Sequence, residues 1–208
     1  GSPLHRPEWE AVLDRLTDLP EKPRVVVASG SVPPGVPDDI YAEVARRARA
    51  LGAKMVIDTS GPALKAALAE GVTLIKPNQN ELSEFVGRPL DSDADRVAAC
   101  RKLIADGRTQ IVALTLGEQG AILVTRDRAL RAQPMQIEVV SAVGAGDSFL
   151  GGLVAAFAKG ETIDDAFRLA VAAGSAAVMS PGTELGGEDD VRQLLPRVVI
   201  ADIAAAVA

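Results

Sequence analysis

The stretch Lys54-Met55-Val56-Ile57-Asp58, Thr59-Ser60-Gly61-Pro62, Ala63 to Glu70, Gly71 and Val72-Thr73-Leu74-Ile75-Lys76-Pro77 decides the fold class. It opens with a short apolar run that reads as a buried strand, Lys54 to Asp58. Gly61-Pro62 then opens an Ala/Leu-rich helical stretch that lasts to Glu70. A second β-branched run, Val72 to Lys76, ends at a proline, which has no N–H to give to a ladder. Two strands joined by a helix of this kind lie parallel, so the segment is one crossover unit of an α/β protein.

The same alternation extends in both directions. Upstream, a helix is expected from Glu8 to Leu16, with Trp9, Val12, Leu13 and Leu16 on one face, and a strand from Arg24 to Ser29. The turn-rich Gly30 to Pro37 follows, then a helix capped by Asp38 or Asp39 that runs to Leu51 and closes at Gly52. Downstream, helices are expected over Asn80–Val86 and about Asp93–Asp106, with a strand at Gln110–Thr115. Ala121–Thr125 and Ala129–Gln133 read as a hairpin around Arg126-Asp127-Arg128. A strand near Ile137–Val140 leads into a Gly-rich turn, and helices follow at Gly146–Ala158, Ile163–Met179 and Asp189 to near Val207. There is no internal repeat and no low-complexity linker, so a single α/β layer structure is expected.

Composition narrows the chemistry. The 208 residues are 48% hydrophobic but only 3% aromatic, so the core must be built from Ala, Val, Leu and Ile. One Cys and one His exclude a disulfide framework, a Cys/His zinc site and Ser-His-Asp hydrolysis. His5 lies near the chain end and receives no role, and Cys100, inside a helix, reads as a buried small residue. With 22 basic and 28 acidic residues the net charge is −6, which argues against a nucleic-acid partner. The longest nearly apolar stretch, Leu169 to Met179, is far short of the roughly 20 residues of a membrane span. The N-terminus lacks the basic and apolar regions of a secretory signal. A cytoplasmic protein with no membrane partner is expected, and Gly1 in place of Met leads to the expectation of a processed, tagged or truncated end.

Ser141-Ala142-Val143-Gly144-Ala145-Gly146-Asp147-Ser148 lies between a strand and an apolar helix. Its glycines let backbone N–H groups converge on one point, and the helix N-terminus adds positive potential, an anion hole suited to a phosphoryl group. Asp147 places a carboxylate beside it that can take a proton from an attacking hydroxyl. A tight turn followed by an ordinary N-terminal Asp explains the same residues. A Walker loop is excluded because Val36 and Pro37 follow Gly30 to Gly35. The dinucleotide fingerprint fails because Phe149 stands where its third glycine belongs.

Lys76-Pro77-Asn78-Gln79-Asn80-Glu81 sits at a strand's C-terminal end, where open α/β sheets place ligands. Asn78 and Glu81 suit Mg2+ held partly through water, and Lys76 suits phosphate oxygens; plain helix capping with a surface lysine is the alternative. Thr115-Leu116-Gly117-Glu118-Gln119-Gly120 leaves a strand into a Gly-bounded turn that lets backbone approach a nucleotide, or simply makes a hairpin. Ser31, in the rigid Gly30 to Gly35 loop, suits a polar ligand. Asp58 suits active-site hydrogen bonds or merely a turn.

In order, GSVPPG (30–35), IDTSG (57–61), KPNQNE (76–81), LTLGEQG (114–120), SAVGAGDS (141–148) and VAAGSAAVMSPGT (171–183) resemble the phosphofructokinase B (ribokinase-like) family of sugar kinases. The match runs from near Val25 to about Leu195, and its specific part is GAGD with an upstream Asn-x-x-Glu. GS-x-PPG and KPNQNE look closest to the branch that phosphorylates sugar phosphates: minor 6-phosphofructokinase, 1-phosphofructokinase and tagatose-6-phosphate kinase. The resemblance implies a ribokinase-like three-layer sandwich with a mostly parallel central sheet. It also implies ATP-dependent phosphoryl transfer to a hydroxyl of a sugar phosphate of the fructose 6-phosphate or fructose 1-phosphate class.

Carried onto these positions, the resemblance makes Asp147 the catalytic base and gives the amides of Gly144, Ala145, Gly146 and Asp147 the charge on the transferring group. Asn78 and Glu81 organise Mg2+ and its waters, and Lys76 touches nucleotide or sugar phosphate. Thr115, Gly117 and Gly120 line the ATP phosphates and ribose, Val139, Val171 and Ser175 the adenine pocket, and Ser31 the sugar phosphate. The backbone at Ser141 and Val143 matches a monovalent-cation (K+) site, although members usually carry Asp, Ser or Thr at the first position. Family members carry a further N-terminal portion with central strands, a Gly-rich sugar-binding motif and a lid through which related kinases often dimerise. The expectation is that residues 1–208 form a single incomplete domain, the ATP-binding portion, without those strands and lid and with little or no activity alone. A non-catalytic nucleotide-binding module on the same scaffold and a nucleoside or vitamin kinase of the same fold remain as alternatives, the second disfavoured by the GS-x-PPG loop.

Overall fold

The computed structural model describes residues 2–182 and 186–203, and the chain divides into two compact units, residues 1–113 and 114–208.

In the first unit the elements alternate as the sequence dictates. They are α1 (Arg6–Thr17), β1 (Val25–Ser29), α2 (Ile40–Leu51), β2 (Lys54–Asp58), α3 (Gly61–Glu70), β3 (Val72–Ile75), α4 (Gln79–Val86), α5 (Asp93–Ala105) and β4 (Thr109–Thr115), the last running two residues past the division. The strands pair in chain order, β1 with β2, β2 with β3 and β3 with β4, all parallel. Met55, Val56, Ile57, Leu74, Ile75, Val112 and Ala113 are buried on successive residues, the signature of strands covered on both faces. β1 instead alternates, with Val26 and Ala28 buried and Val27 exposed. The helices end where expected: Gly52 and Gly87 adopt the left-handed conformation that closes α2 and α4, and the Ser92 side chain caps α5.

The second unit contains β5 (Ala121–Val124), β6 (Ala129–Ala132), α6 (Ala145–Lys159), α7 (Ile163–Val178), α8 (Glu188–Leu194) and β7 (Ile200–Asp202). β5 and β6 form the expected antiparallel hairpin, and β7 adds antiparallel to β6. With its parallel and antiparallel parts the protein is α/β with a mostly parallel sheet, as the resemblance implies. The α6–α7 pair is the core of this unit, with Phe149 and Phe167 meeting edge to face at 6.3 Å between ring centroids.

Two expectations are corrected here. The helix placed over Asp189–Val207 stops at Leu194, because Pro196 enters a 3-10 turn at Leu195–Arg197 and, after Val198 and Val199, Ile200 to Asp202 pair as strand with β6. Its last residues, 204–207, lie outside the described ones. The strand placed at Ile137–Val140 does not form. Pro134 breaks the ladder after β6, and the Val140 N–H donates to the Val178 carbonyl at the end of α7, 2.8 Å away. Among the described residues no helix is long and apolar enough to cross a membrane.

Candidate functional site

In the first unit, the C-terminal ends of β1, β2 and β3 bring together residues that sequence reading took separately. Ser29 pairs in register with Asp58, and the Gly30 N–H donates to the Asp58 carbonyl at 2.9 Å. Gly30, at φ +99°, turns its own carbonyl to receive the Thr59 hydroxyl at 2.8 Å and the Tyr41 hydroxyl at 3.1 Å. Burial, helped by the negative charge of Asp58, raises the Tyr41 phenol above its usual range. Ser31 follows this knot and is exposed. At the far side of its loop, a side chain at Gly35 would overlap the Leu4 carbonyl oxygen, and the Leu4 N–H donates to the Pro34 carbonyl at 2.9 Å.

Lys76 is a buried lysine rather than a surface one, and its Nζ lies 3.1 Å from Asp58 Oδ1. Both side chains sit one step beyond the paired residues Ile57 and Ile75, so the parallel register is what juxtaposes them. Two residues on, Asn78 and Glu81 form a reciprocal capping box at the start of α4. The Asn78 Oδ1 accepts from the Glu81 N–H at 2.9 Å, and Glu81 Oε2 accepts from the Asn78 N–H at 2.8 Å. Capping is thus present, and it commits one carboxylate oxygen. Glu81 Oε1 has no partner among the described residues. No cluster of three or more His, Cys, Asp or Glu side chains occurs among them. One free carboxylate oxygen beside an amide fits Mg2+, which keeps several waters and relies on substrate phosphates, better than it fits an all-protein metal cage.

Sequence reading missed Arg96. It is buried on α5, where its guanidinium donates to Asp93 at 2.7 Å and to Gln79 Oε1 at 3.1 Å, pinning the first residue of α4. The available signal was an arginine on the face that also carries Cys100 and Leu103. Cys100 is buried as expected, and burial pushes its thiol up to about 12.

In the second unit, Thr115 ends β4 and the following turn is closed by the Leu116 N–H on the Gly120 carbonyl at 2.9 Å. Gly120, at φ +90°, admits no side chain, because a Cβ would overlap the Ala132 carbonyl oxygen. Gly117 is left-handed but faces open space. Arg131 fastens this turn to the hairpin by donating to the carbonyls of Gln119 at 2.7 Å and Ala121 at 3.2 Å, and also to that of Ala132. That arginine too escaped the sequence reading; its position on a strand flanking a glycine-bounded turn was the only clue.

The Gly144 to Asp147 segment forms the start of α6. Gly144, at φ +78°, caps α6 in the left-handed conformation. The first helical bond is Ser148 N–H to the Gly144 carbonyl at 2.8 Å, so the amides of Ala145, Gly146 and Asp147 take no partner among the described residues. Asp147, in the same turn, is exposed. The approach is held by Ser141, whose N–H donates to the Val178 carbonyl at 3.1 Å and whose hydroxyl donates to the Gly182 carbonyl at 2.9 Å. The Val143 N–H returns to Ser141 Oγ at 3.3 Å. Of the residues assigned to adenine, Val171 and Ser175 lie one turn apart on α7. Val171 is buried, Ser175 contacts Met135 Sδ at 3.3 Å, and Val139 is 63% exposed.

Comparison with known proteins gives this geometry its family. Residues 5–190 match the family described as "pfkB family carbohydrate kinase". The chain is 35% identical over 195 residues to the ATP-dependent 6-phosphofructokinase isozyme 2 of Escherichia coli (strain K12), covering 93% of this chain and 63% of that protein. It is 35% identical over 200 residues to the 1-phosphofructokinase of Bacillus subtilis (strain 168), covering 96% of this chain and 65% of the relative. The crystal structure of phosphofructokinase-2 from Escherichia coli in complex with potassium superposes with a TM-score of 0.89 at 34% identity, over 95% of this chain and 64% of that one. The chain therefore spans less than two thirds of the length of these relatives. On the strength of the family match, the chain belongs to the pfkB family of carbohydrate kinases.

Proposed function

We propose that this chain is the ATP-binding portion of a kinase that transfers the γ-phosphoryl group of ATP to a hydroxyl of a sugar phosphate of the fructose 6-phosphate or fructose 1-phosphate class. The observation that carries the reading is the start of α6: three unpartnered amides beside an exposed Asp147, opened by a left-handed glycine. Amides already aimed at one point stabilise charge that develops on a transferring phosphoryl group without reorganising. The acceptor oxygen bonds to the γ-phosphorus, the bond from that phosphorus to the β-phosphate bridging oxygen breaks, and ADP leaves. Asp147 accepts the proton of the attacking hydroxyl.

Asn78 and Glu81 are the residues that organise Mg2+, which when bound neutralises phosphate charge. The half-buried Asp58 holds the Lys76 ammonium by one contact, leaving its other N–H groups for phosphate oxygens. Thr115, Gly117 and Gly120 are assigned to ATP phosphates and ribose, Val139, Val171 and Ser175 to adenine, Ser31 to the sugar phosphate, and the backbone at Ser141 and Val143 to K+. The last assignment draws support from the potassium complex of the Escherichia coli relative. As the chain covers less than two thirds of its relatives, the activity and any homodimer are properties of the complete protein, and residues 1–208 alone are expected to turn over little.

The test is Asp147→Asn in the complete protein, assayed with ATP, Mg2+ and a panel of fructose phosphates, nucleosides and vitamins. Turnover should fall by orders of magnitude with nucleotide affinity within about threefold of wild type. Comparable turnover would reject Asp147 as base, and preference for a nucleoside would reject the acceptor class.

A further inference from the structure

The second unit holds a pair of glycine contacts between α6 and α7 that sequence reading did not separate from ordinary helix packing. A Cβ on Gly174 would lie 3.1 Å from the Ala145 carbonyl oxygen and 3.2 Å from Phe149 Cβ. A Cβ on Gly152 would lie 2.9 Å from the Leu169 carbonyl oxygen and 3.1 Å from Ala173 Cβ. The two contacts are similar in tightness and differ in place. Gly152 packs the middle of α6, whereas Gly174 packs against the first turn, the one whose amides stand free. The end of α7 also holds the preceding loop, because the Val178 carbonyl receives the N–H groups of Val140 at 2.8 Å and Ser141 at 3.1 Å.

We infer that Gly174 is a positioning residue for phosphoryl transfer: its bare backbone sets the approach of α7 to Ala145, and so fixes where the Gly144 to Asp147 amides point. A methyl group there must displace the Ala145 carbonyl or the Phe149 stem by a few tenths of an ångström. The first belongs to the turn that forms the anion hole, the second sits two residues beyond Asp147 on the same helix, and neither is the yielding tip of a flexible side chain. Misplacement on this scale at a reacting centre lowers the rate much more than it lowers affinity for the acceptor. Packing at Gly152 is just as close, but its strain falls two turns away.

This inference rests on the kinase reading for its activity arm only. The experiment compares Gly174→Ala with Gly152→Ala in the complete protein, reading thermal stability, the 15N–1H amide shifts of Gly144 to Ser148, and kcat and KM for the phosphorylated sugar. Both variants should lose stability. Gly174→Ala alone should move the Gly144 to Ser148 amides and lower kcat by roughly tenfold or more with acceptor KM within about threefold. Loop amides that match those of Gly152→Ala, or displaced amides with an unchanged kcat, would overturn the proposal. If wild type shows no kinase activity, the kinase reading fails while the amide shifts still decide whether Gly174 positions the loop. Should Gly174→Ala not accumulate, Ser141→Ala removes the hydroxyl bond to the Gly182 carbonyl, in the turn that follows α7, while the Ser141 N–H stays on Val178. Displaced amides and a reduced kcat there support positioning of the anion hole by α7 and the turn after it, and unmoved amides overturn it.

Discussion

Lys76 Nζ and Asp58 Oδ1 meet at 3.1 Å with both side chains largely withdrawn from water, at the C-terminal ends of adjacent parallel strands. An ion pair in that setting is costly to break, because removing one partner leaves the other charged and desolvated. Asp58→Ala should therefore cost about 3 kcal/mol or more in urea-monitored unfolding. The double change Asp58→Leu with Lys76→Met should recover most of that loss. A double variant as unstable as the single would show that the pair is not what the site loses.

Gly120 and Gly117 bound the same turn yet should respond differently. At Gly120 a side chain both meets the Ala132 carbonyl and must hold φ at +90°, whereas at Gly117 only the left-handed φ of +58° opposes it. Gly117→Ala should cost about 1 kcal/mol, the ordinary left-handed penalty. Gly120→Ala should cost distinctly more, because the hairpin backbone must move. Equal midpoints in denaturant would contradict the close approach to Ala132.

Arg128 joins the hairpin turn to α7 through Asp164 at 2.5 Å and to β7 through Asp202 at 2.9 Å. The hydrogen bond from Arg128 holds the Asp202 carboxyl below the usual carboxylate range. For a group depressed in the folded state, the stabilisation is present above the unfolded value of about 3.9 and fades as pH falls through the folded one. Wild type should therefore exceed Arg128→Met in stability at neutral pH, with the gap closing below about pH 4. Unfolding midpoints across pH 7 to 2.5 read this directly, and a gap independent of pH would remove the ion pair from the account.

What the sequence made legible was local. β2, α3 and β3 could be bounded because glycine and proline punctuate them, and the capping box of Asn78 and Glu81 and the left-handed Gly144 are properties of a few adjacent residues. The failures were non-local. Ile200-Ala201-Asp202 becomes strand only because the edge of β6 receives it, and Val140 is denied a strand because Val178 takes its N–H. Lys76 read either as a phosphate contact or as a surface lysine, and its burial against Asp58 went unseen because strand register brings that partner to it. Arg96, Arg131 and Gly174 matter through what other elements place against them, which no window of sequence displays.

Glu81 is where capping and metal binding can be told apart. Glutamine at the third helical position still accepts the Asn78 N–H, so Glu81→Gln keeps the box while removing the charge. Alanine removes both. If the free Oε1 serves Mg2+, Glu81→Gln should melt within about a degree of wild type and yet need roughly tenfold more Mg2+ for half-maximal turnover, since a neutral amide oxygen is a poorer ligand for a hard cation. Glu81→Ala should show the same Mg2+ shift plus a stability loss of about 1 kcal/mol from the lost bond to the Asn78 N–H. A Glu81→Gln enzyme with wild-type Mg2+ dependence would leave the residue as a helix cap alone, and would move the search for the metal's protein contacts away from α4.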